Sequence, residues 1–136
     1  MTDQWEQILA IAVPGDPLPA PRPRASERGR LHSYMPRSYL DYRDSLRLMM
    51  RRGRGEWRPD RAATFAVKLL CYRDSRRRVD VDNLLKTVLD AGTGILWHDD
   101  SSVVKANVAR LLDRENPRLE LRVWRAVREQ QQLEVG

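Results

Sequence analysis

The sequence has little cysteine and histidine and no long hydrophobic run. It contains one cysteine and two histidines, so an internal disulfide is impossible and a catalytic Cys–His pair is a poor expectation. Cys71 lies in an apolar stretch, which favours a buried small side chain. No apolar run approaches the roughly 20 residues that span a bilayer, and the first residues lack a basic-then-apolar signal pattern. We therefore expect a cytoplasmic protein without membrane association.

Basic residues are abundant, with 25 Lys and Arg against 19 Asp and Glu and a net charge of +6. All but three of them are arginine, whose guanidinium makes bidentate contacts to phosphate. The basic character is interrupted by residues 80–100, which carry five aspartates and a single lysine. The balance favours a nucleic-acid partner only weakly, and the acidic segment needs an explanation of its own.

Apolar patterning predicts one α+β domain over residues 1–136, with a mixed β-sheet, two main helices and the order β-α-β-α-β-β. The predicted strands cover residues 8–13, 64–72, 102–112 and 117–127, and the helices begin at residues 36 and 81. Residues 14–35 are rich in proline and arginine, which is typical of an extended, mobile loop. Residues 129–136 are expected to form a frayed tail.

Two sets of large side chains are assigned to packing. Apolar residues recur at helical spacing on the first helix, which indicates a core-facing stripe: Tyr39, Tyr42, Leu46, Met49 and Met50. The four tryptophans are interpreted as core or dimer-interface residues rather than as platforms for stacked bases. They are Trp5, Trp57, Trp97 and Trp124.

The acidic segment allows three interpretations: a helix cap, a solvated acidic face, or a site for a hard divalent cation. Asp80 and Asp82 stand where a strand gives way to a helix, and a cap explains one of them but not both. Asp82, Lys86 and Asp90 are spaced at i, i+4 and i+8 and so share one face of the helix. Lys86 could therefore be only a surface salt-bridge residue.

The neighbouring arginines favour the cation. Mg²⁺ binds carboxylate and phosphate oxygens, and a bound metal turns an acidic cluster into a cationic centre. Arg76, Arg77 and Arg78 would then hold adjacent phosphates, although a solvated loop without a function explains them too. His98 is interpreted as a turn residue, and His32 is given no role.

The segment "RRRVDVDNLLKTVLDAGTGILWHDDSSV" resembles the RusA-type Holliday junction resolvases. The resemblance rests on D-x-D-N-x-x-K followed by D-D, where Asp99 comes 17 residues after Asp82. The earlier segments "PGDPLPAPRPR" and "YMPRSYLDYRDSL" also resemble the family's entry segment and first helix. Together they extend the resemblance from Val13 to about Leu112.

The resemblance implies a homodimeric endodeoxyribonuclease that uses Mg²⁺ or Mn²⁺ to resolve four-way DNA junctions by paired symmetric nicks, in recombination and repair. It implies that Asp80, Asp82 and Asp100 hold the metal and that Lys86 is catalytic, with Asp90 and Asp99 in secondary roles. The expected phosphate contacts are Arg76, Arg77, Arg78, Arg22, Arg24, Arg28 and Arg30.

Two positions depart from the family pattern. Gly92 stands where members usually carry leucine, so we expect the helix to end earlier, and Ser102 stands where many carry glutamine. Two other functions stay open. One is a non-catalytic DNA-binding protein of the same fold, which the retained acids and lysine disfavour. The other is a metal nuclease that acts on flaps, forks or duplex DNA, which the motif does not distinguish from a resolvase.

Overall fold

The computed structural model describes residues 4–21, 24–25, 31–32 and 35–127, and for 24–25 and 31–32 it describes the backbone alone. Arg22, Arg28, Arg30, the Arg24 side chain and the predicted tail over 129–136 lie outside the described residues. Residues 22–23, 26–30 and 33–34 of the predicted mobile loop lie outside them as well.

The element order confirms the predicted α+β fold. The main elements are β1 (Trp5–Pro14), α1 (Arg37–Gly53), β4 (Phe65–Arg73), α2 (Val81–Gly92), β5 (Val103–Leu112) and β6 (Arg118–Ala126). The structure adds two short paired strands, β2 (Arg24–Ala25) and β3 (Leu31–His32), and a 3₁₀ turn at Asp100–Ser102. α2 ends at Gly92.

The main sheet has the strand order β1-β6-β4-β5. β4 is antiparallel to β6 and parallel to β5, and β1 is antiparallel to β6. A short turn joins β5 to β6, yet β4 lies between them. The segment β4-α2-β5 is thus a β-α-β unit, in which the helix returns the chain so that two neighbouring strands run in the same direction.

The core lies between the helices and one face of the sheet. Alternate residues of β4 point to this face and are buried, among them Phe65, Leu69 and Cys71. α1 covers them with its predicted apolar stripe, in which Leu46 and Met50 are fully buried. Burial of each large side chain is worth about 1.5–3 kcal/mol. Burial also raises the pKa of the Cys71 thiol to about 12, which suits a packing residue and no nucleophile.

The described part of the predicted mobile loop is held against α2. The Thr87 hydroxyl donates to the Leu18 carbonyl over 2.8 Å, and the Ala20 amide donates to the Asn83 carbonyl over 3.0 Å. The Arg73 guanidinium, almost completely buried, pairs with Asp16 over 3.1 Å. The segment leading into the arginine-rich stretch is therefore extended, as predicted, but fixed along the helix.

Within the described residues, no helix combines the length and apolar character needed to cross a membrane.

Candidate functional site

Two of the predicted metal ligands lie together at the amino end of α2. Asp80 is the residue before the helix and Asp82 is in its first turn, and both are exposed. The Asp80 carboxylate makes no capping hydrogen bond, and Asp82 Oδ1 accepts a hydrogen bond from the adjacent Asn83 amide at 3.0 Å. Negative charge is stabilised here because the helix dipole places partial positive charge at this end. The cap interpretation therefore does not explain Asp80.

The predicted arginine cluster lies at the same end of the fold. Arg76, Arg77 and Arg78 are exposed on the loop that joins the carboxyl end of β4 to α2. Arg110 of β5 anchors this loop by donating from Nη1 to the Val79 carbonyl at 2.8 Å. Three cationic side chains are thereby presented to solvent directly before the carboxylate pair.

Lys86 belongs to a chain of contacts that reaches α1. Its Nζ lies 3.4 Å from Asp90 Oδ1, and the Tyr39 hydroxyl donates to Asp90 Oδ2 at 3.2 Å. The predicted polar stripe of α2 is thus confirmed for this pair. Burial, with the nearby Asp90 carboxylate as a second cause, raises the pKa of Tyr39 to about 12. Since Lys86 is half exposed, the ion pair adds little stability, but it orients the ammonium along the face that carries Asp82.

Asp100 lies at the other end of the β-α-β unit. It opens the 3₁₀ turn before β5, whose first residue Val103 pairs with Phe65 at the amino end of β4. α2 separates the two ends and spans about 18 Å at 1.5 Å per residue. No group of three or more Asp, Glu, His or Cys side chains in the described residues is arranged to hold a metal ion. The chain does not bring Asp100 to Asp80 and Asp82.

The neighbours of Asp100 have local roles. Asp99 caps the 3₁₀ turn, and hydrogen bonds from the Ser101 hydroxyl and amide lower the pKa of the Asp99 carboxyl. The Ser102 amide donates to the Asp99 carbonyl at 3.0 Å. His98 is exposed in the connection after the buried Trp97, as its interpretation as a turn residue predicts.

The carboxyl end of α2 is held by contacts that the sequence did not reveal. Arg47 Nη1 donates to the carbonyls of Ala91 and Thr93 at 3.1 and 2.9 Å. Further donors, Arg54 Nη1 and Trp57 Nε1, reach the carbonyls of Ile95 and Leu96 at 2.7 and 3.1 Å. The basic residues of α1 were the only feature of the sequence that pointed to these contacts. The carbonyls they bind lie about 40 residues further along the chain, so the partners could not be predicted.

Gly92 is explained by the indole of Trp97. A Cβ atom at this position would lie 2.4 Å from Cζ2 of Trp97, which is fully buried. The Trp97 indole therefore fills the space that a side chain at position 92 would need.

Comparison with known proteins places this chain in a family. The family model described as endodeoxyribonuclease RusA matches residues 14–124, which include both helices and the acidic segment. The chain belongs to the RusA family. Crossover junction endodeoxyribonuclease RusA from Escherichia coli strain K12, from Escherichia coli O1:K1 / APEC and from Shigella sonnei strain Ss046 is 38% identical to it over 58 residues. That match covers 42% of this chain and spans about half, 48%, of each relative.

The carboxylates at the amino end of α2 supply some of the oxygen ligands that a hard cation needs. Exposed Asp80 and Asp82 supply the one or two carboxylates by which proteins usually bind Mg²⁺, with waters and substrate phosphate completing its octahedron. Within the described residues of a single chain, Asp100 does not join this carboxylate pair. The pair fits Mg²⁺, and the predicted third ligand, Asp100, lies at the other end of the β-α-β unit.

Proposed function

We propose that this chain is a Mg²⁺-dependent endodeoxyribonuclease that resolves four-way DNA junctions by paired symmetric nicks, acting in recombination and repair. The observation that supports it is the carboxylate pair Asp80 and Asp82 beside three exposed arginines, at the end of β4 where loops of β-α-β units commonly bind ligands. This activity belongs in a cytoplasm that contains DNA, bacterial or that of a phage host.

Asp80 and Asp82 would bind the metal, for which Mn²⁺ can substitute. When bound, the ion lowers the pKa of a water molecule and neutralises charge at the scissile phosphate. Arg76, Arg77 and Arg78 hold the phosphates on either side, so that the strand lies across the end of α2. No side chain forms a covalent bond to the substrate, which agrees with the buried, protonated Cys71 and the absence of a histidine role.

Lys86 acts on the charge that develops in the transition state. Its ammonium donates to a phosphate oxygen as negative charge grows there, and this is the kind of interaction that lowers an activation barrier. Asp90 orients Lys86 along the helix face shared with Asp82, and Tyr39 fixes Asp90 from α1. Asp90 and Tyr39 are thus positioning residues, and Asp99 shapes the turn that carries Asp100.

The third carboxylate would come from a second copy of the chain. β5 is an edge strand of the sheet, and its exposed side chains include Val104, Leu111 and Leu112. Two β5 strands paired antiparallel about a two-fold axis would carry Asp100 of one copy toward the amino end of α2 in the other. Such a homodimer has two equivalent sites, as paired symmetric nicks require.

Cleavage of a synthetic four-way junction tests this function. The protein is incubated with the junction and with a linear duplex of matched sequence, in Mg²⁺ and in chelator, and strand products are mapped on each arm. Paired nicks on the junction alone, only with Mg²⁺, are expected. Light scattering should give the mass of a dimer, and a strictly monomeric protein would contradict both the completed site and the paired nicks.

Other products would identify the alternative functions. Metal-dependent cleavage of flaps, forks or duplex in preference to the junction would assign a nuclease of different substrate. Junction binding without cleavage under every condition would assign a non-catalytic DNA-binding protein.

A further inference from the structure

The face of the sheet away from the helices carries unpaired positive charge. Lys68 of β4 and Arg122 of β6 are register partners on this face, and Lys105 of β5 lies in the adjacent row. All three side chains are exposed, and none makes an ion pair or hydrogen bond to another residue that the structure describes. Two of the chain's three lysines are therefore on this face and the third is Lys86.

Like charges on directly opposed strand positions oppose folding, because their Cβ atoms are only about 5 Å apart. Lys68 and Arg122 are opposed in this way. The acid in the next row, Glu120, is already bonded to Arg118 at 2.7 Å. Asn107, the partner of Lys68 on its other side, is neutral. An anion from outside the chain would relieve this repulsion.

Trp5 and Trp124 flank the same cations and are only partly buried, unlike Trp97, so the sequence-based interpretation of the tryptophans as core residues does not hold for these two. Trp5, Ala66 and Trp124 line a groove of about 270 Å³ together with Lys68, Lys105 and Asn107. The small side chain of Ala66 leaves space between the Trp124 indole and Lys105, which are its register partners on either side. This volume lies just below the ~300 Å³ typical of small-molecule sites, so it suits a single planar base.

We propose that this open face binds a DNA strand with unpaired bases, through phosphate contacts from Lys68, Lys105 and Arg122 and base contacts to Trp5 and Trp124. Grooves that pair cations with aromatic rings are the usual design for single strands, since every base offers a stacking surface. The inference rests on the proposed function in one respect, that the partner is DNA. It adds a second binding surface, separate from the amino end of α2, for a strand that is unpaired near a branch point.

A second copy of the chain is a poorer occupant. In a two-fold interface the same patch faces itself, which would bury Lys68, Lys105 and Arg122 of both copies against one another. Burying uncompensated charges costs several kcal/mol per ion. Charge complementarity thus favours a polyanion.

The test is binding of a labelled short oligothymidylate to the whole protein in chelator, where no cleavage occurs, over a range of salt. Lys68→Gln combined with Arg122→Gln should weaken binding at least tenfold and reduce the slope of log affinity against log salt by about 1.4, for two contacts to a single strand. Trp5→Leu should weaken binding about tenfold with the slope unchanged, because stacking is not ionic. The charge-conserving variant Lys68→Arg should retain the wild-type slope.

The matched control is Arg51→Gln combined with Arg52→Gln, which removes two exposed charges from the end of α1. It should leave the salt slope close to that of the wild type. The inference is wrong if the wild type does not bind the oligonucleotide, or if the open-face double variant behaves like this control. It is also wrong if that double variant dissociates a dimer in light scattering, since the face would then join two copies.

The junction assay separates this inference from the proposed function. If the wild type cleaves the junction and the Lys68→Gln, Arg122→Gln variant binds the single strand as well as the wild type does, the proposed strand site is wrong. The proposed nuclease function would still hold. If strand binding depends on the open face but the wild type cleaves no DNA, the strand site holds and the proposed nuclease function is wrong.

Discussion

The two ends of α2 are built for different purposes. At the amino end Asp80 and Asp82 face solvent beside an exposed arginine loop. At the carboxyl end Gly92 packs on buried Trp97, and Arg47 of α1 and Arg54 just after it donate to the carbonyls that follow the helix. One end concentrates exposed charge, and the other fixes the helix to the core. The comparison suggests that activity and stability are separable along a single helix.

The strongest test of the amino end is Asp82→Asn. Loss of this proposed metal ligand should reduce junction cleavage by more than the 10–100-fold that removal of an outer-shell partner causes. The free energy of unfolding should change by less than about 0.5 kcal/mol, since the residue is exposed. Cleavage kinetics and urea unfolding measure the two effects.

Its control is Asp41→Asn, which removes an exposed carboxylate from α1. This variant should cleave at the wild-type rate. Equal losses of cleavage in both variants would mean that the reaction depends on the total number of carboxylates and not on the Asp80–Asp82 pair at α2.

The carboxyl end should respond in the opposite way to Arg47→Met. The change removes the donor to the Ala91 and Thr93 carbonyls, and the free energy of unfolding should fall by about 2 kcal/mol. Urea denaturation measures it, with exposed Arg51→Met as the control. A fall no larger than that of the control would show that these carbonyls find other partners, and the contrast between the ends would be weaker than the contacts indicate.

Gly92→Ala tests the packing against Trp97 through the sign of its effect. In an open helix this change stabilises by up to about 1 kcal/mol. Here the added methyl meets the indole, so we expect a loss of about 1–2 kcal/mol and an altered near-ultraviolet circular dichroism of Trp97. Ser45→Ala, at an exposed site of α1, is the control for helix propensity. A more stable Gly92→Ala protein would show that Trp97 moves freely.

Tyr39→Phe is expected to have the smallest effect, because it acts through Asp90. Loss of the hydrogen bond should cost about 1 kcal/mol at neutral pH. In the folded protein the pKa of Tyr39, about 12, exceeds the ordinary tyrosine pKa of about 10. The stability due to the neutral hydroxyl is therefore complete below pH 10 and is lost as pH rises toward 12.

Urea unfolding at neutral and strongly alkaline pH measures this difference. The variant should lose less stability than the wild type over the alkaline range, although burial raises the pKa of Cys71 as well and leaves a residual loss. Cleavage should fall severalfold if Asp90 positions Lys86. An unchanged rate would reduce the Tyr39–Asp90 contact to a structural one.

Local patterns were sufficient for much of the molecule. The helical stripe of α1, the alternation in β4 and the contact between Lys86 and Asp90 all follow from spacing within one element, and the structure has each of them. The motif of aspartates and lysine likewise identified the family, because it is a property of contiguous sequence.

Tertiary structure decided what depends on distant partners. It placed β4 between β5 and β6, and in doing so placed Asp100 at the opposite end of the β-α-β unit from Asp80 and Asp82. It also brought Lys68 and Arg122 together on the open face. The sequence by itself determined the elements and their chemistry, because side-chain periodicity is local. The strand order and the contacts between charged side chains depend on packing between segments far apart in the chain. Local sequence patterns do not indicate which of these segments pack together.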